Sequence, residues 1–477
     1  MARKLVSFDE ATGKLSPDVE TALGNGFATK GEVGAKLDQT AVDARVRAVG
    51  DATYVRSVNG SAPDAAGNVA VAAGGALSIS PRSPAPPVSN FVAPANQAGH
   101  GWIATGTGIT AEPNDTTDAV VGSQSFRYTT DGTGSTSFGI DKTIAAPVDV
   151  TGKYLRMWLK IDNYARLGQV SIWLGSGGLT NRRSGEPFVG SLGEKASALK
   201  GGEWVTIDMA ITDFAASSGA PDLTQINTFR LRAYDNGTGP LTVRFGGFAL
   251  VDPPAAATGG VVTLTFDDSS ASAYSIARPY MDKYGYAGVL FPILEQVGNP
   301  DRITVDQIRA LQNYNGWEIG AHANTSAQHA LGMAGRTEAD MRAELTTIKD
   351  WYTARGFAPT SYAYPIGEYD ALGERIVAEY FRAARGNATK FVETLPPSMP
   401  YRIRAVSVGP ATPVATVSAL VDRAVAGKGW VVVVFHGIQE SAPSSPNTLT
   451  STFQGIVDYI ATSGAKVRTM QQVLAMV

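Results

Sequence analysis

The apolar run Val261-Val262-Thr263-Leu264-Thr265-Phe266 ends in two adjacent carboxylates, Asp267 and Asp268. Rich in β-branched residues, it reads as a buried strand whose C-terminal end concentrates negative charge. Neighbouring carboxylates repel, and burying them is costly unless a cation or hydrogen-bond donors compensate. A divalent metal compensates and also does chemistry: one Asp binds the ion while the other stays free as a base. His322 and His329 follow another apolar stretch, and His436 directly follows Trp430-Val431-Val432-Val433-Val434-Phe435. The chain has four histidines, and three lie in this last part. Two Asp and three His placed after apolar runs point to a metal-assisted hydrolase.

Four pieces resemble one family in order and spacing. They are Thr265-Phe266-Asp267-Asp268, Trp317-Glu318-Ile319-Gly320-Ala321-His322, Tyr362-Ala363-Tyr364-Pro365-Ile366-Gly367-Glu368-Tyr369 and Val434-Phe435-His436. Residues 261–477, a little under half of the chain, resemble a polysaccharide deacetylase domain (NodB homology, carbohydrate esterase family 4). The resemblance implies a distorted, incomplete (β/α) barrel that removes acetyl groups. It implies Asp267 as general base, Asp268 and His322 as ligands of a divalent metal, with zinc expected, and His436 as general acid. The backbone N–H of Ile366, in the loop supported by Tyr364 and Pro365, would complete an oxyanion hole.

Three departures from the family pattern stand out. Its two metal histidines are usually four residues apart, but position 326 is Ser and the next candidate is His329, seven on. In a continuous helix that is a rise of about 10 Å, too far for two ligands of one zinc. Asn324 to Gln328 would have to loop outward; a water or other oxygen ligand is the alternative. The Arg that many members carry before Pro365 is absent, which leaves Arg382 or Arg385 to hold Asp267. No Asp in 382–393 is available to orient His436.

The elements around these residues alternate. Helical patterns at 273–284, 304–313, 337–355 and 469–476 are interleaved with strand-like runs at 287–292 and 317–321, which suits an α/β fold with functional residues beyond strand C-termini. Residues 91–253 instead read as strands separated by Gly, Asn, Asp and Ser turns, an all-β sandwich resembling jelly-roll carbohydrate-binding modules in general form. Alternation puts Leu155, Met157, Leu159 and Ile161, then Val170, Ile172 and Leu174, then Phe229 and Leu231 toward a core. It leaves Trp158, Trp173, Arg230, Arg232 and Tyr234 opposite, a composition expected of a glycan-binding face. The plain alternative is that these aromatics bury against a neighbouring domain, leaving the sandwich a spacer. Residues 253–260 read as a linker.

Residues 1–80 are poor in aromatics, with one weak helical pattern at 31–49. Val55 to Val71, with its Asn59-Gly60 and Gly67-Asn68 turns, resembles a segment recurrent in bacteriophage tail fibres and minor tail proteins. The four prolines of 78–87 make a stiff linker. The expectation is a multidomain chain with a fibre-like attachment arm at 1–80, forming a homotrimer, joined to other tail proteins in the virion and acting at the host cell surface.

At 477 residues, with 44% hydrophobic and 17% charged residues, three soluble globular domains are expected. A formal net charge of −3 gives no reason to expect nucleic acid or an anionic membrane as partner. With no cysteine, disulfides and Cys-ligated metals are excluded. The start lacks the apolar core of a secretory signal, so synthesis without one is expected. The reading is thus a tail-associated metal-dependent deacetylase of host surface polysaccharide. Two alternatives are a receptor-binding tail protein whose degenerate domain merely holds glycan, and a free secreted esterase.

Overall fold

Alternation of apolar and polar residues builds the first half of the described chain. The computed structural model describes residues 8–9, 14–15, 91–386, 391–441 and 443–476. By contacts the chain divides into Met1–Ala76 and Leu77–Val477. In the first unit β1 (Phe8–Asp9) pairs antiparallel with β2 (Lys14–Leu15). The pattern at 31–49, the 55–71 segment and the 78–87 linker lie outside the described residues, as does the rest of the 1–80 arm.

Twelve strands follow: β3 (Phe91–Pro94), β4 (Ile103–Gly106), β5 (Ile109–Asp115), β6 (Ser125–Thr130), β7 (Phe138–Val148), β8 (Tyr154–Ile161), β9 (Leu167–Ser176), β10 (Arg182–Val189), β11 (Trp204–Ala210), β12 (Ala215–Ser218), β13 (Ile226–Asp235) and β14 (Thr242–Val251). They form two six-stranded antiparallel sheets. One runs β12-β10-β9-β13-β7-β4, the other β11-β8-β14-β6-β5 with β3 also on β14. Leu155, Met157, Leu159, Ile161, Val170, Ile172, Leu174, Phe229 and Leu231 are buried in the core. Burying nine such side chains contributes about 1.5–3 kcal/mol each before chain entropy is counted.

The second half is parallel. It contains β15 (Val261–Asp267), α1 (Arg278–Met281), β16 (Val289–Phe291), α2 (Val305–Asn315), β17 (Glu318–Ile319), α3 (Ser326–Leu331), α4 (Glu338–Thr353), β18 (Ser361–Ala363), α5 (Ala371–Tyr380), β19 (Ala383–Arg385), β20 (Val406–Ser407), α6 (Val414–Gly427), β21 (Trp430–Phe435), β22 (Ile438–Gln439), β23 (Thr448–Leu449), α7 (Thr450–Ser463), β24 (Lys466–Val467) and α8 (Met470–Leu474). Strand β15 is central, parallel to β16, β21 and β24, and all seven of its residues are buried. That explains its uninterrupted apolar sequence, since helices cover both sides of such strands. β16 continues to β17, and β18 pairs with β19. Single parallel bridges Ala321–Tyr362 and Arg385–Ile403 connect these pieces. Parallel strands bring their C-terminal ends to one edge, which gathers Asp267, His322, Arg385 and His436. No helix among the described residues is long and apolar enough to cross a membrane.

A polar seam joins the two halves. Asp208, paired with Arg156 through two 2.6 Å hydrogen bonds, accepts Arg404 at its backbone carbonyl and donates its amide to Ser398. Asp213 accepts the Val392 amide at 3.0 Å, and Thr212 donates to the Arg423 carbonyl at 3.0 Å. Nearer the site, Arg402 bonds the Ala198 carbonyl and the carboxylates of Glu203 and Glu374. The segment 194–200 of the sandwich is therefore bound to the edge where the functional residues gather.

Candidate metal centre and its surroundings

The end of β15 changes direction within two residues. Asp268 and Ser269 have φ of 64° and 60°, left-handed conformations that non-glycine residues seldom adopt. Three hydrogen bonds hold the turn: Asp268 N–H to the Phe291 carbonyl (3.2 Å), Arg302 to the Asp268 carbonyl (2.8 Å) and Ser269 Oγ to the Ile293 carbonyl (2.9 Å). Consecutive carboxylates thus meet different partners.

Asp268 faces His322 and His329, whose Nε2 atoms each lie 3.5 Å from its Oδ1. One ligand atom from each of the three residues falls within 4.8 Å of the others. His322 leaves β17 in extended chain, with Ala321 and Ala323 on either side held in parallel bridges. The chain then turns, and Thr325 caps α3 by accepting the Gln328 amide, while Glu295 accepts the Ser326 amide. Because α3 begins only at Ser326, the continuous-helix distance does not apply. His329 folds back until the two imidazole centroids are 4.7 Å apart.

The donor set fits a divalent metal. His322 Nδ1–H donates to the Ala363 carbonyl at 2.8 Å, which leaves the Nε2 lone pair directed at Asp268. Asp268 Oδ1 is buried without a hydrogen-bond partner among the described residues. Burial works to raise the Asp268 carboxyl, yet the close approach of His322 and the charges of His322, His436 and His329 hold it well below the carboxylate range. Burial lowers His329, and repulsion from His322 adds to it, which favours the neutral ring that a ligand must have. Two imidazoles and a carboxylate this close are a donor set that could hold a divalent metal ion.

Asp267 turns the other way. It is buried, and Arg385, itself fully buried, donates from Nη2 to both its oxygens at 2.5 Å. Arg382 is exposed, and its backbone amide donates to the Thr360 carbonyl at 2.8 Å. Of the two arginines considered, Arg385 holds Asp267, because it lies within β19 beside the strand ends and Arg382 precedes that strand. His436 Nε2 lies 4.0 Å from Asp267 and 3.9 Å from Asp268. Its Nδ1 is buried without a hydrogen-bond partner among the described residues.

Ile366 sits at φ 50° and ψ 11° in the short 3-10 turn Pro365–Gly367, and it is 45% exposed. A β-branched residue in this region costs about 1–3 kcal/mol, held only where surroundings over-determine it. Tyr364 donates its amide to the Arg385 carbonyl and stacks on Tyr369 with centroids 4.3 Å apart; Pro365 is buried. Tyr369 in turn donates its amide to the Lys195 carbonyl and its hydroxyl to that of Ser197. Lys200 Nζ donates to the Tyr369 carbonyl at 2.9 Å and lies 4.0 Å above its ring. The sequence did not single out this clamp, since nothing local relates 194–200 to 364–369.

In the sandwich the expected glycan face separates. Trp158 is fully buried and stacked on Phe91, centroids 4.9 Å apart, so it offers no ring to a sugar. Alternation placed it correctly away from the core, but the Phe91 side chain, from a strand of the same sheet, covers the ring. Trp173, Arg230, Arg232 and Tyr234 share the outer side of the other sheet and are half-buried. Guanidiniums occupy the Trp173 ring: Arg182, Arg232 and Arg230 lie 4.2, 4.6 and 4.9 Å from its centroid.

Comparison with known proteins bears on the second half of the chain. Residues 255–380 match the polysaccharide deacetylase family model. The match contains Asp267, Asp268, His322, His329 and Ile366 and stops short of Arg385 and His436. A Bacillus subtilis (strain 168) protein whose name assigns it to the polysaccharide deacetylases is 27% identical over 110 residues, 23% of this chain and 38% of its own. A gellan lyase of a Bacillus species is 26% identical over 226 residues, 43% of this chain and 8% of its own. The chain thus spans less than half the length of either curated relative. A family 4 acetyl xylan esterase from Clostridium thermocellum, solved with a cobalt ion, aligns at 19% identity over 45% of this chain and 91% of that one, with a TM-score of 0.32.

Proposed function

We propose that this chain is a metal-dependent polysaccharide deacetylase of the hydrolase class, with Asp268, His322 and His329 as metal ligands and zinc as the ion. The observation that carries the reading is the convergence of these three residues beside an Arg385-bound Asp267 and His436. When bound, the metal would polarise the acyl carbonyl and acidify a water. Asp267, hydrogen-bonded by Arg385 and outside the ligand set, takes a proton from the attacking water. The water oxygen joins the acyl carbon, and the N–H of Ile366 donates to the oxyanion that develops. His436 gives a proton to the departing nitrogen or oxygen as its bond to the acyl carbon breaks, leaving acetate and a free amine or hydroxyl. The parallel strands around β15 are read as a distorted (β/α) barrel.

The substrate class is a host cell-surface polysaccharide, and the domain division is 1–80, 91–253 and 261–477. The tail-fibre resemblance of Val55 to Val71 supports an arm that forms a homotrimer and joins other tail proteins in the virion. The return of His329 to the site counts against a degenerate domain that merely holds glycan. Acetate release from host envelope fractions tests the reading: it should stop with chelator and return with zinc or cobalt. Full activity in metal-free protein would overturn it.

A further inference from the structure

The outer side of the sheet β12-β10-β9-β13-β7-β4 carries an unusual concentration of positive charge on one ring. Pairing aligns Ser184, Trp173, Arg230 and Asp141 in one row across four strands. Arg182 and Arg232 flank the row, so three guanidiniums share Trp173. Asp141 neutralises one of them, accepting two 2.6 Å hydrogen bonds from Arg230. Arg182 and Arg232 have no carboxylate partner among the described residues. Each donates instead to a backbone carbonyl, of Leu179 at 2.8 Å and Thr136 at 3.0 Å. The Nε of each is buried without a hydrogen-bond partner among the described residues.

Gathering like charges this closely is unfavourable unless something compensates. Burial lowers the Arg232 guanidinium, and repulsion from Arg230 and Arg182 lowers it further, with Tyr234 and Glu186 opposing. A neutral sugar would stack on an open aromatic face, but here the indole already carries its cations. What Arg182 and Arg232 lack is carboxylate oxygens, which guanidiniums bind in planar, paired hydrogen bonds. Six strands about 4.8 Å apart give a surface roughly 24 Å wide, long enough for several sugar units. Ser184 and Gln169, half-buried on the same side, add groups that suit hydroxyls. The chain's net charge of −3 disfavours long-range attraction of a polyphosphate, so the smaller charge density of an acidic glycan fits better.

We infer that this face binds an acidic polysaccharide, one bearing uronic-acid carboxylates, through Arg182 and Arg232 held on Trp173. Choosing a polysaccharide rests on the deacetylase reading, but the binding can be measured without catalysis. Full-length protein is tested for retention on polygalacturonate, with dextran as neutral control and single-stranded oligonucleotide as polyanion control. Retention on polygalacturonate alone, weakened severalfold by raising salt, is expected. Replacing both residues by Gln (Arg182→Gln with Arg232→Gln) should weaken binding at least tenfold, while the double Lys replacement keeps most of it. Hydrolysis of p-nitrophenyl acetate should be unchanged in the Gln variant, which also reports that the protein remains folded. Equal retention on dextran or oligonucleotide, no retention on polygalacturonate, or undiminished binding by the Gln variant would overturn the inference. Loss of esterase activity in wild-type protein with polygalacturonate binding intact would count against the deacetylase reading only.

Discussion

On the Asp268 side of the site, polar atoms converge without satisfying one another: a carboxylate oxygen lacking a hydrogen bond and two imidazoles 3.5 Å away. On the Asp267 side, the carboxylate is gripped on both oxygens by a fully buried arginine. The two residues are consecutive, and the left-handed turn at Asp268 sends them apart. One side is arranged to receive an ion and the other already has its cation. A base must keep a lone pair free while a ligand gives its own to the metal, so this difference divides two roles that one carboxylate cannot readily combine.

The comparison can be broken first at Asp268. Asp268→Asn should lose metal and bring acetate release to the uncatalysed background, with partial rescue by excess zinc. Normal zinc content in this variant would remove the distinction between the sides. His329→Ala belongs to the same side and should weaken zinc binding with partial rescue by excess metal. Unchanged zinc titration would send the search for a third protein ligand elsewhere.

Arg385 probes the opposite side. Arg385→Met leaves a buried carboxylate without its cation, a loss of about 3–5 kcal/mol for a broken buried pair. Thermal unfolding should show it, with zinc content retained. An unchanged melting temperature would mean that Asp267 does not depend on Arg385.

A subtler difference lies in pH. Burial tends to lower His322, but the Asp268 carboxylate 3.5 Å away and the charge of Asp267 raise it above its ordinary 6.5. A raised histidine adds stability that is fully present below its unfolded value and is lost as pH rises through the folded one. Metal needs the neutral ring, so apparent zinc affinity should fall by about tenfold per pH unit below the raised value. Zinc titrations between pH 5 and 8 check this, and a flat profile would contradict it. The smallest effect is expected at the clamp: Tyr369→Phe removes the hydrogen bond to Ser197, about 0.5–1.5 kcal/mol, and leaves zinc content untouched. Loss of zinc in this variant would show that the loop and the metal side are not separate.

Legibility followed the range of the forces involved. Asp267, Asp268, His322 and His436 could be picked out because each ends or follows a continuous buried run, a local signal. The reach of His329 depends on where α3 starts, fixed by the Thr325 cap and by Glu295 from another element. Arg385 could not be separated from Arg382 until β19 had a neighbour. Strand β10 went unread because Gly185 and Pro187 interrupt its pattern, and with it Arg182 escaped notice. Trp158 shows the limit of alternation, which says which way a side chain points but not whether Phe91 covers it.

Zinc content and acetate release measured together on Asp267→Asn test the division of roles most directly. Wild-type zinc stoichiometry with activity reduced by a factor on the order of 10²–10⁴, the scale of a lost general base, is the expected result. Loss of zinc, or activity within a few-fold of wild type, would contradict it.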